Sequence, residues 1–294
     1  MVSGPLRLTT LLGDHTASAA LKRGEIVSPL LTLEFADVKV PNTAFKRVVR
    51  DLEFDVAELA IVTFLMAKAR GVPLSLLPVV LMSRAQHPFL VHDAKRGVLV
   101  PRDLEGRRVA IRSWSVTTAV WIRDILRQEG VAVDRVRWVT LEDAHVAGIA
   151  DPPGVERAPT GADIKTMLAT GDVDAAVLGA VPDDPRFRPV FEHPGPAAQE
   201  WQRLHRAIQI NHMLVVKQDL CRAEPAAVRA LVDMCSRARA AAAENGVDLP
   251  PFGIDANRRS LEVAIDATFR DGLIPTRPFV EDLFDDVVRN ATSD

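Results

Sequence analysis

Tyrosine is absent from this chain of 294 residues, and cysteine occurs only twice. So few cysteines exclude the small scaffolds that depend on several disulfides. Cys221 and Cys235 fall in one segment that we expect to be helical. Positions 221 and 235 on a single helix would lie about 21 Å apart, too far for a disulfide. We therefore predict two reduced, buried thiols.

An excess of basic residues is also missing, because 36 Lys and Arg stand against 39 Asp and Glu. A net charge of −3 gives no support for a nucleic-acid partner. No apolar run reaches the ~18 residues of a membrane span, so we expect no membrane partner. The N-terminus has no basic stretch followed by an apolar run, which predicts a cytoplasmic protein. Glycines are isolated and the potential metal ligands scattered, so neither a cofactor nor a metal is predicted.

Short apolar runs alternate with amphipathic stretches along most of the chain, the pattern of an α/β fold. We expect open sheets, parallel or mixed, with helices on both faces. The run 74–82 is continuously apolar and predicts a buried parallel strand. A helix is expected over 42–52, with Asn42 as its N-cap. Further strands are predicted near 6–12, 31–35, 38–40, 108–111, 137–140 and 174–178, and further helices over 61–69, 119–128 and 163–169.

Two motifs resemble a known fold. Asp103–Ile111 reads DLEGRRVAI and Leu168–Ala176 reads LATGDVDAA; both are similar to elements of type 2 periplasmic-binding-protein folds. This resemblance implies two lobes that close a cleft over a small anion. Lobe one would comprise 1–92 plus 200–294, and lobe two 93–199, with hinges where the chain crosses between them.

A narrower resemblance, to 4,5-dihydroxyphthalate decarboxylases, covers most of the chain. It rests on matches at Phe54–Leu59, Pro78–Arg84, Thr117–Arg123, Asn211–Met213 and Phe252–Arg258. Two segments depart from that family. Arg112–Ser115 stands where the family has Pro-Glu-Tyr-Gln, and Val62–Phe64 stands where it has Ser-Ser-Tyr. The contacts to an aromatic ring are therefore expected to differ.

The resemblance implies a cofactor-independent decarboxylase acting on a hydroxylated aromatic dicarboxylic acid. Its partner would be a small anionic aromatic substrate, and the assembly state is left open, a homo-oligomer included. The alternative is a solute-binding protein that delivers a small aromatic or other organic anion to an ABC-type transporter. A third alternative, a ligand sensor without catalysis, lacks an attached effector domain. The fold serves all of them, so the site must decide.

Decarboxylation without a cofactor needs an acid that protonates the ring carbon and a group that accepts from the phenol. His15, after the first strand, and His212, before an apolar strand, are the predicted catalytic residues. A solvated His15 and a His212 bonded to backbone are the alternatives. Asp55 and Glu58 are general-base candidates at the start of a helix. Their alternative role there is to interact with the helix dipole.

The predicted substrate-binding residues belong to strand ends and to one helix start. Arg84 and Arg112 each follow a strand and either clamp a carboxylate or pair with a local one. The hydroxyls before the helix at 119 either bind an anion or cap that helix. Trp114 either stacks on the substrate ring or packs between loop and helix. The complete set is Thr63, Arg84, Arg112, Ser113, Trp114, Ser115, Thr117 and Thr118.

Overall fold

The computed structural model describes residues 4–291 and divides into two compact units. The first unit contains the residues up to Ser83 and those from Ile210 onward, and the second contains Arg84–Gln209. From the sequence, 84–92 and 200–209 are expected in lobe one, whereas the structure groups both with the second unit. The backbone N–H of Gln86 donates to the side chain of Gln209 at 2.7 Å, which ties these two stretches to each other.

The strands of the described residues are numbered in chain order. They are β1 (Leu6–Leu11), β2 (Leu31–Phe35), β3 (Val56–Ala60), β4 (Leu74–Ser83), β5 (Leu90–Asp93), β6 (Arg108–Ile111), β7 (Arg137–Thr140), β8 (Glu156–Arg157), β9 (Ala175–Val177), β10 (Phe187–Pro189) and β11 (Ile210–Lys217).

The α-helices are numbered in the same way. They are α1 (Ala19–Lys22), α2 (Ile61–Lys68), α3 (Thr117–Gln128), α4 (Ile164–Thr170), α5 (Pro194–His205), α6 (Gln218–Ala223), α7 (Pro225–Glu244), α8 (Ile254–Arg270) and α9 (Asp286–Asn290).

The helix expected over 42–52 is present as an irregular helical segment. It runs from a 3₁₀ turn at Pro41–Ala44 through Phe45 and Lys46 into a π turn at Arg47–Asp51, and it ends at Leu52 in a left-handed conformation with φ 49°. Asn42 lies inside the 3₁₀ turn, and the N-cap is Val40. Val48 and Val49 are buried. These β-branched residues favour helix only weakly, so packing of the apolar side chains decides the local conformation. The strand expected at 38–40 is absent.

The sheet of the first unit has the order β2-β1-β3-β11-β4. Strands β2, β1 and β3 run parallel, whereas β11 runs antiparallel to both β3 and β4. The expected parallel strand at 74–82 is therefore present but antiparallel to its partner. Its continuous apolar run reflects burial rather than direction, because every residue from Leu74 to Leu81 is buried.

The sheet of the second unit has the order β10-β5-β9-β6-β7-β8. Strands β9, β6, β7 and β8 run parallel. At one edge β5 runs antiparallel to β9, and β10 runs antiparallel to β5. Helix α4 packs Met167 and Leu168 against this sheet, in a core that includes Val91, Ala110 and Val139. The predicted α/β class with open mixed sheets is confirmed.

Cys221 and Cys235 are both free and buried. They lie on two separate helices, α6 and α7, rather than on the single helix that was expected, because the chain breaks before Pro225. Burial raises the pKa of each thiol to about 12, so neither is a reactive thiolate near neutral pH. Between residues 4 and 291 no helix is both long and apolar enough to cross a membrane.

Candidate functional site

Two histidines and a glutamate come together in the first unit. Nε2 of His15 lies 2.7 Å from Oε2 of Glu58, and Nδ1 of His212 lies 2.6 Å from Oε1 of the same carboxylate. The backbone N–H of Gly13 donates to Oε2 at 2.9 Å. The two predicted catalytic histidines, far apart in sequence, therefore share one carboxylate.

The strand register explains how the cluster forms. Leu214 of β11 lies directly opposite Glu58 of β3, so His212, two residues earlier, is its diagonal neighbour on the same face. Strand β1 runs parallel to β3 with Leu11 opposite Ala57, which brings Gly13 and His15 to the level just past Glu58. The cluster thus lies at the carboxyl ends of β1 and β3, where open α/β sheets bind their ligands.

Glu58 is a buried carboxylate that stays ionised. Burial pushes its pKa upward, but the hydrogen bonds and charges of His15 and His212 outweigh that effect and hold the pKa near 2. An ionised carboxylate only accepts hydrogen bonds. The ring nitrogens that face it must therefore be donors: Nε2–H of His15 and Nδ1–H of His212. Each ring is left with its other nitrogen, Nδ1 of His15 and Nε2 of His212, turned away from Glu58.

Glu58 is only 1% exposed. Its two histidine partners have different surroundings. The ring of His212 stands edge-on to Phe45, with centroids 5.2 Å apart. His15 lines an open depression of about 420 Å³, whose wall also includes Thr16 and Lys22. Both histidine side chains retain some exposure, 16% for His15 and 15% for His212. The buried Glu58 carboxylate thus holds the rings of His15 and His212, and each ring keeps an exposed part that a ligand can contact.

The interpretation of Asp55 and Glu58 as charges at a helix start was wrong. Glu58 lies within β3, and α2 begins only at Ile61. The Asp55 carboxylate instead accepts from the backbone N–H and hydroxyl of Thr9 and from Lys217, each at 2.9 Å, away from the histidines. No sequence pattern predicts Glu58 as the partner of both rings, although the stretch 54–59 carries part of the family resemblance.

Thr63, predicted to bind substrate, is buried in the first turn of α2. That helix begins directly after β3, so Thr63 lies at the same end of this strand as Glu58.

Arg84, a predicted substrate-binding residue, is the first residue of the second unit. Its Nη1 donates to the carbonyl of Gly179 at 2.8 Å, and its guanidinium lies 3.9 Å from the ring centroid of Phe89. Partial burial lowers its pKa, but an arginine remains protonated. The buried Nε has no hydrogen-bond partner, and within residues 4–291 no carboxylate pairs with Arg84. Of the two roles predicted for Arg84, pairing with a local carboxylate is therefore not observed.

The stretch 112–118 begins near Arg84. Strands β6 and β9 are parallel neighbours with Ala110 opposite Ala176, so the residues that follow them leave the sheet at the same edge. Gly179 follows β9 and 112–118 follows β6. Because Arg84 is bonded to Gly179, its guanidinium belongs to that edge as well.

The members of this stretch have different environments. Arg112 pairs loosely with Glu142, 3.7 Å away. The hydroxyls of Ser113 and Ser115 are buried and lie 3.3 Å apart, and Thr117 is buried beside a partly exposed Thr118. The N-cap of α3 is Val116, without a side-chain bond. The N-cap position itself therefore contributes no side-chain bond to α3.

Trp114 packs rather than standing free for stacking. Its ring meets Trp138 edge-on with centroids 6.1 Å apart, and the buried guanidinium of Arg123 lies 3.8 Å from its centroid. Arg123 also donates to the Trp114 carbonyl at 2.7 Å, which fixes the loop. Of the two expected roles, packing is the one that these contacts describe. In the described chain, no group of three or more His, Cys, Asp or Glu is arranged to hold a metal.

The architecture of the chain is that of periplasmic-binding-protein-like folds. The alkanesulfonate-binding protein SsuA from Xanthomonas axonopodis pv. citri, bound to MOPS, matches with a TM-score of 0.59 and 14% identity, over 96% of this chain and 99% of that one. The desulfurization enzyme DSZB matches with a TM-score of 0.56 and 16% identity, over 97% and 98%. At such identities these structures show the fold alone.

The sequence itself is similar to 4,5-dihydroxyphthalate decarboxylases, as the motifs indicated. The Comamonas testosteroni protein of that name is 28% identical over 261 residues, covering 81% of this chain and 76% of the relative. The Pseudomonas putida protein is 27% identical over 222 residues, covering 69% and 84%. No family model matches the chain.

Proposed function

We propose that this protein is a decarboxylase that removes one carboxylate, as CO₂, from a hydroxylated aromatic dicarboxylic acid. The observation that carries the proposal is the pairing of His15 and His212 on the buried carboxylate of Glu58. Similarity to two proteins named 4,5-dihydroxyphthalate decarboxylase supports the same substrate class.

The chemistry requires proton transfer at two places on the substrate. Removing CO₂ leaves an electron pair on the ring carbon, which must take up a proton. A phenol that gives up its own proton pushes electrons into the ring and makes that carbon basic. Histidine serves both transfers near neutral pH, and positioned acid–base groups contribute about 10²–10⁴ in rate. The side chains of His15 and His212 can therefore carry out both proton transfers.

Carboxylate binding is assigned to the second unit. Arg84 offers a partly desolvated guanidinium without a carboxylate partner in the described chain. Such a fork matches a carboxylate in shape and charge. Ser113, Ser115, Thr117 and Thr118 add hydroxyls before and at the start of α3, where backbone N–H groups favour anions. Arg112 is a weaker candidate because Glu142 balances its charge.

The proposal is tested by incubating the purified protein with 4,5-dihydroxyphthalate and with phthalate as a matched diacid without hydroxyls. Release of CO₂ and a change in the ring absorbance spectrum are expected for the first compound only, because phthalate has no phenol to activate the ring. Replacing Glu58 with Gln should lower turnover by about 10² or more, since the amide carries no charge and can accept a hydrogen bond through only one of its two ends. The exposed His193 offers a control, and His193→Gln should leave turnover unchanged.

The solute-binding alternative remains as an outcome of the same experiment. A binding protein needs hydrogen-bond donors and charge for its ligand but no acid–base pair on a buried carboxylate. Tight calorimetric binding of aromatic diacids, with no CO₂ released from any hydroxylated member of the series, would contradict the decarboxylase proposal and favour the binding protein.

A further inference from the structure

This inference rests on the proposed function. We propose that the two histidines bonded to Glu58 have different catalytic roles. His15 is the acid that delivers a proton to the ring carbon, and His212 is the base that takes the proton of the phenol. Glu58 contacts neither substrate atom and is a positioning residue. It holds each ring by one nitrogen and leaves the other nitrogen for the substrate.

The charge of the cluster favours one acid and one base at a time. A single carboxylate balances one imidazolium, and a second one in the same buried place would lack a counter-charge. The resting cluster is therefore Glu58 as carboxylate, one protonated ring and one neutral ring. Both rings still donate to Glu58, through Nε2–H of His15 and Nδ1–H of His212. A neutral His212 then has its lone pair on Nε2, and a protonated His15 has its available proton on Nδ1.

Every proton is accounted for in one turnover. Neutral His212 removes the phenolic proton and becomes an imidazolium, while the ring gains electron density. His15 then protonates the carbon that bears the carboxylate and becomes neutral, so the cluster keeps one positive charge. The C–C bond breaks, CO₂ leaves, and its bonding electrons restore the aromatic ring as a phenolate. His212 returns its proton to the phenolate, and solvent reprotonates His15.

The surroundings of each ring indicate which histidine is the acid and which is the base. The reaction consumes one proton from solvent, and the acid must be recharged after each turnover. His15 lines the open depression beside Thr16 and Lys22, whereas His212 lies in a central strand with Phe45 against its ring. Solvent therefore reaches His15 along the open side.

The first test compares His15→Gln with His212→Gln on substrates of graded phenol acidity, made by adding electron-withdrawing ring substituents. Both variants should lose about 10²–10⁴ in kcat on the parent dihydroxy diacid. A more acidic phenol ionises without a base. The deficit of His212→Gln, relative to the unmutated protein on the same substrate, should therefore shrink by at least about tenfold along the series. The deficit of His15→Gln should stay constant, and His193→Gln should show no deficit.

The second test does not depend on turnover. Nitrogen NMR of protein with ¹⁵N-labelled histidine distinguishes the two neutral tautomers of each ring. In the unmutated protein, neutral His15 should carry its hydrogen on Nε2 and neutral His212 on Nδ1. A glutamine at position 58 presents one donor and one acceptor, so in Glu58→Gln one of the two rings should switch tautomer. Unchanged tautomers in both rings would show that Glu58 does not fix them and would overturn its positioning role.

The outcomes separate this inference from the proposed function. If the unmutated protein turns over the diacid but His15→Gln is the variant relieved by acidic phenols, the division of roles is wrong while the decarboxylase proposal stands. The same holds if His212 carries its hydrogen on Nε2. If no hydroxylated diacid is turned over, both proposals are overturned.

Discussion

Gly13 and Glu58 approach each other so closely that a β-carbon at position 13 would force a neighbouring side chain to shift. The backbone N–H of Gly13 donates to Oε2 of Glu58 at 2.9 Å, and a β-carbon on Gly13 would lie 2.9 Å from that oxygen and 3.0 Å from Nε2 of His15. Any side chain at position 13 would therefore press on the hydrogen bond between His15 and Glu58.

Gly13→Ala is accordingly expected to lower kcat by about tenfold or more, since small displacements of a catalytic group are costly. The free energy of unfolding should change little, because the backbone of Gly13 does not have a positive φ. The control is Gly195→Ala, where a β-carbon meets nothing within 4 Å. Steady-state kinetics and urea unfolding of both variants check the expectation. Unchanged kcat in Gly13→Ala would show that the cluster tolerates the displacement.

The sequence predicts His15 and His212 as catalytic residues and Glu58 as a general-base candidate, but it does not predict that the three residues meet. His15 and His212 were recognisable because histidines at strand ends suit acid–base chemistry. Glu58 is 43 positions from His15 and 154 from His212, and only the register of β3 with β1 and β11 brings the three together. Periodicity does not reveal which strands are neighbours, so no local pattern could supply that register.

Local sequence patterns also could not reveal the other features in which the structure differs from the expectation. The fold class followed from alternating apolar runs and from two motifs, which are local properties. The direction of β4 depends on β11, a strand from the far end of the first unit, and the pairing of Arg112 with Glu142 depends on where two loops meet. The helix expected at 42–52 is present but irregular, because burial of Val48 and Val49 matters more there than their weak helical preference.

Gly171 should be the less replaceable of two glycines in the second unit. Gly161 and Gly171 have nearly equal positive φ values, 81° and 84°. A β-carbon on Gly161 meets nothing, whereas one on Gly171 collides with the guanidinium of Arg96. Arg96 donates to the Thr170 carbonyl at the end of α4, and that bond would be displaced.

Gly161→Ala should therefore lose about 1 kcal/mol from left-handed strain, and Gly171→Ala about 1 kcal/mol more for the displaced hydrogen bond. Urea unfolding of the two variants measures the difference. Equal losses would show that Arg96 moves aside without cost.

His87 should make the protein less stable in acid. Its side chain is buried against Phe191, and burial lowers its pKa from 6.5 to about 4. Below pH 6.5 the unfolded chain binds a proton at His87 that the folded chain does not, so stability falls as the pH drops from about 6.5 to about 4. Between pH 7 and pH 5 the expected loss is about 2 kcal/mol.

His87→Gln should remove that part of the pH dependence, whatever its effect at neutral pH. Urea unfolding at pH 7 and pH 5 gives the difference for each protein, and His193→Gln serves as the exposed histidine control. If His87→Gln loses as much stability on acidification as the unmutated protein, His87 is not the responsible group.

Arg84 should separate binding from chemistry. Its guanidinium, bonded to the Gly179 carbonyl and without a carboxylate partner in the described residues, is available to a substrate carboxylate. A charge-assisted bond is worth about 1.5–3 kcal/mol, so Arg84→Ala should weaken binding of an aromatic diacid by about 10–150-fold. Arg84→Lys should recover only part of this loss, because an ammonium lacks the two-pronged geometry. Arg203→Ala removes an exposed arginine that pairs with Glu200 and should bind normally. Calorimetry measures binding, and CO₂ release at saturating diacid measures kcat, which should fall far less than affinity. A loss of kcat with unchanged affinity would place Arg84 in the chemical step instead and refute its role in holding carboxylate.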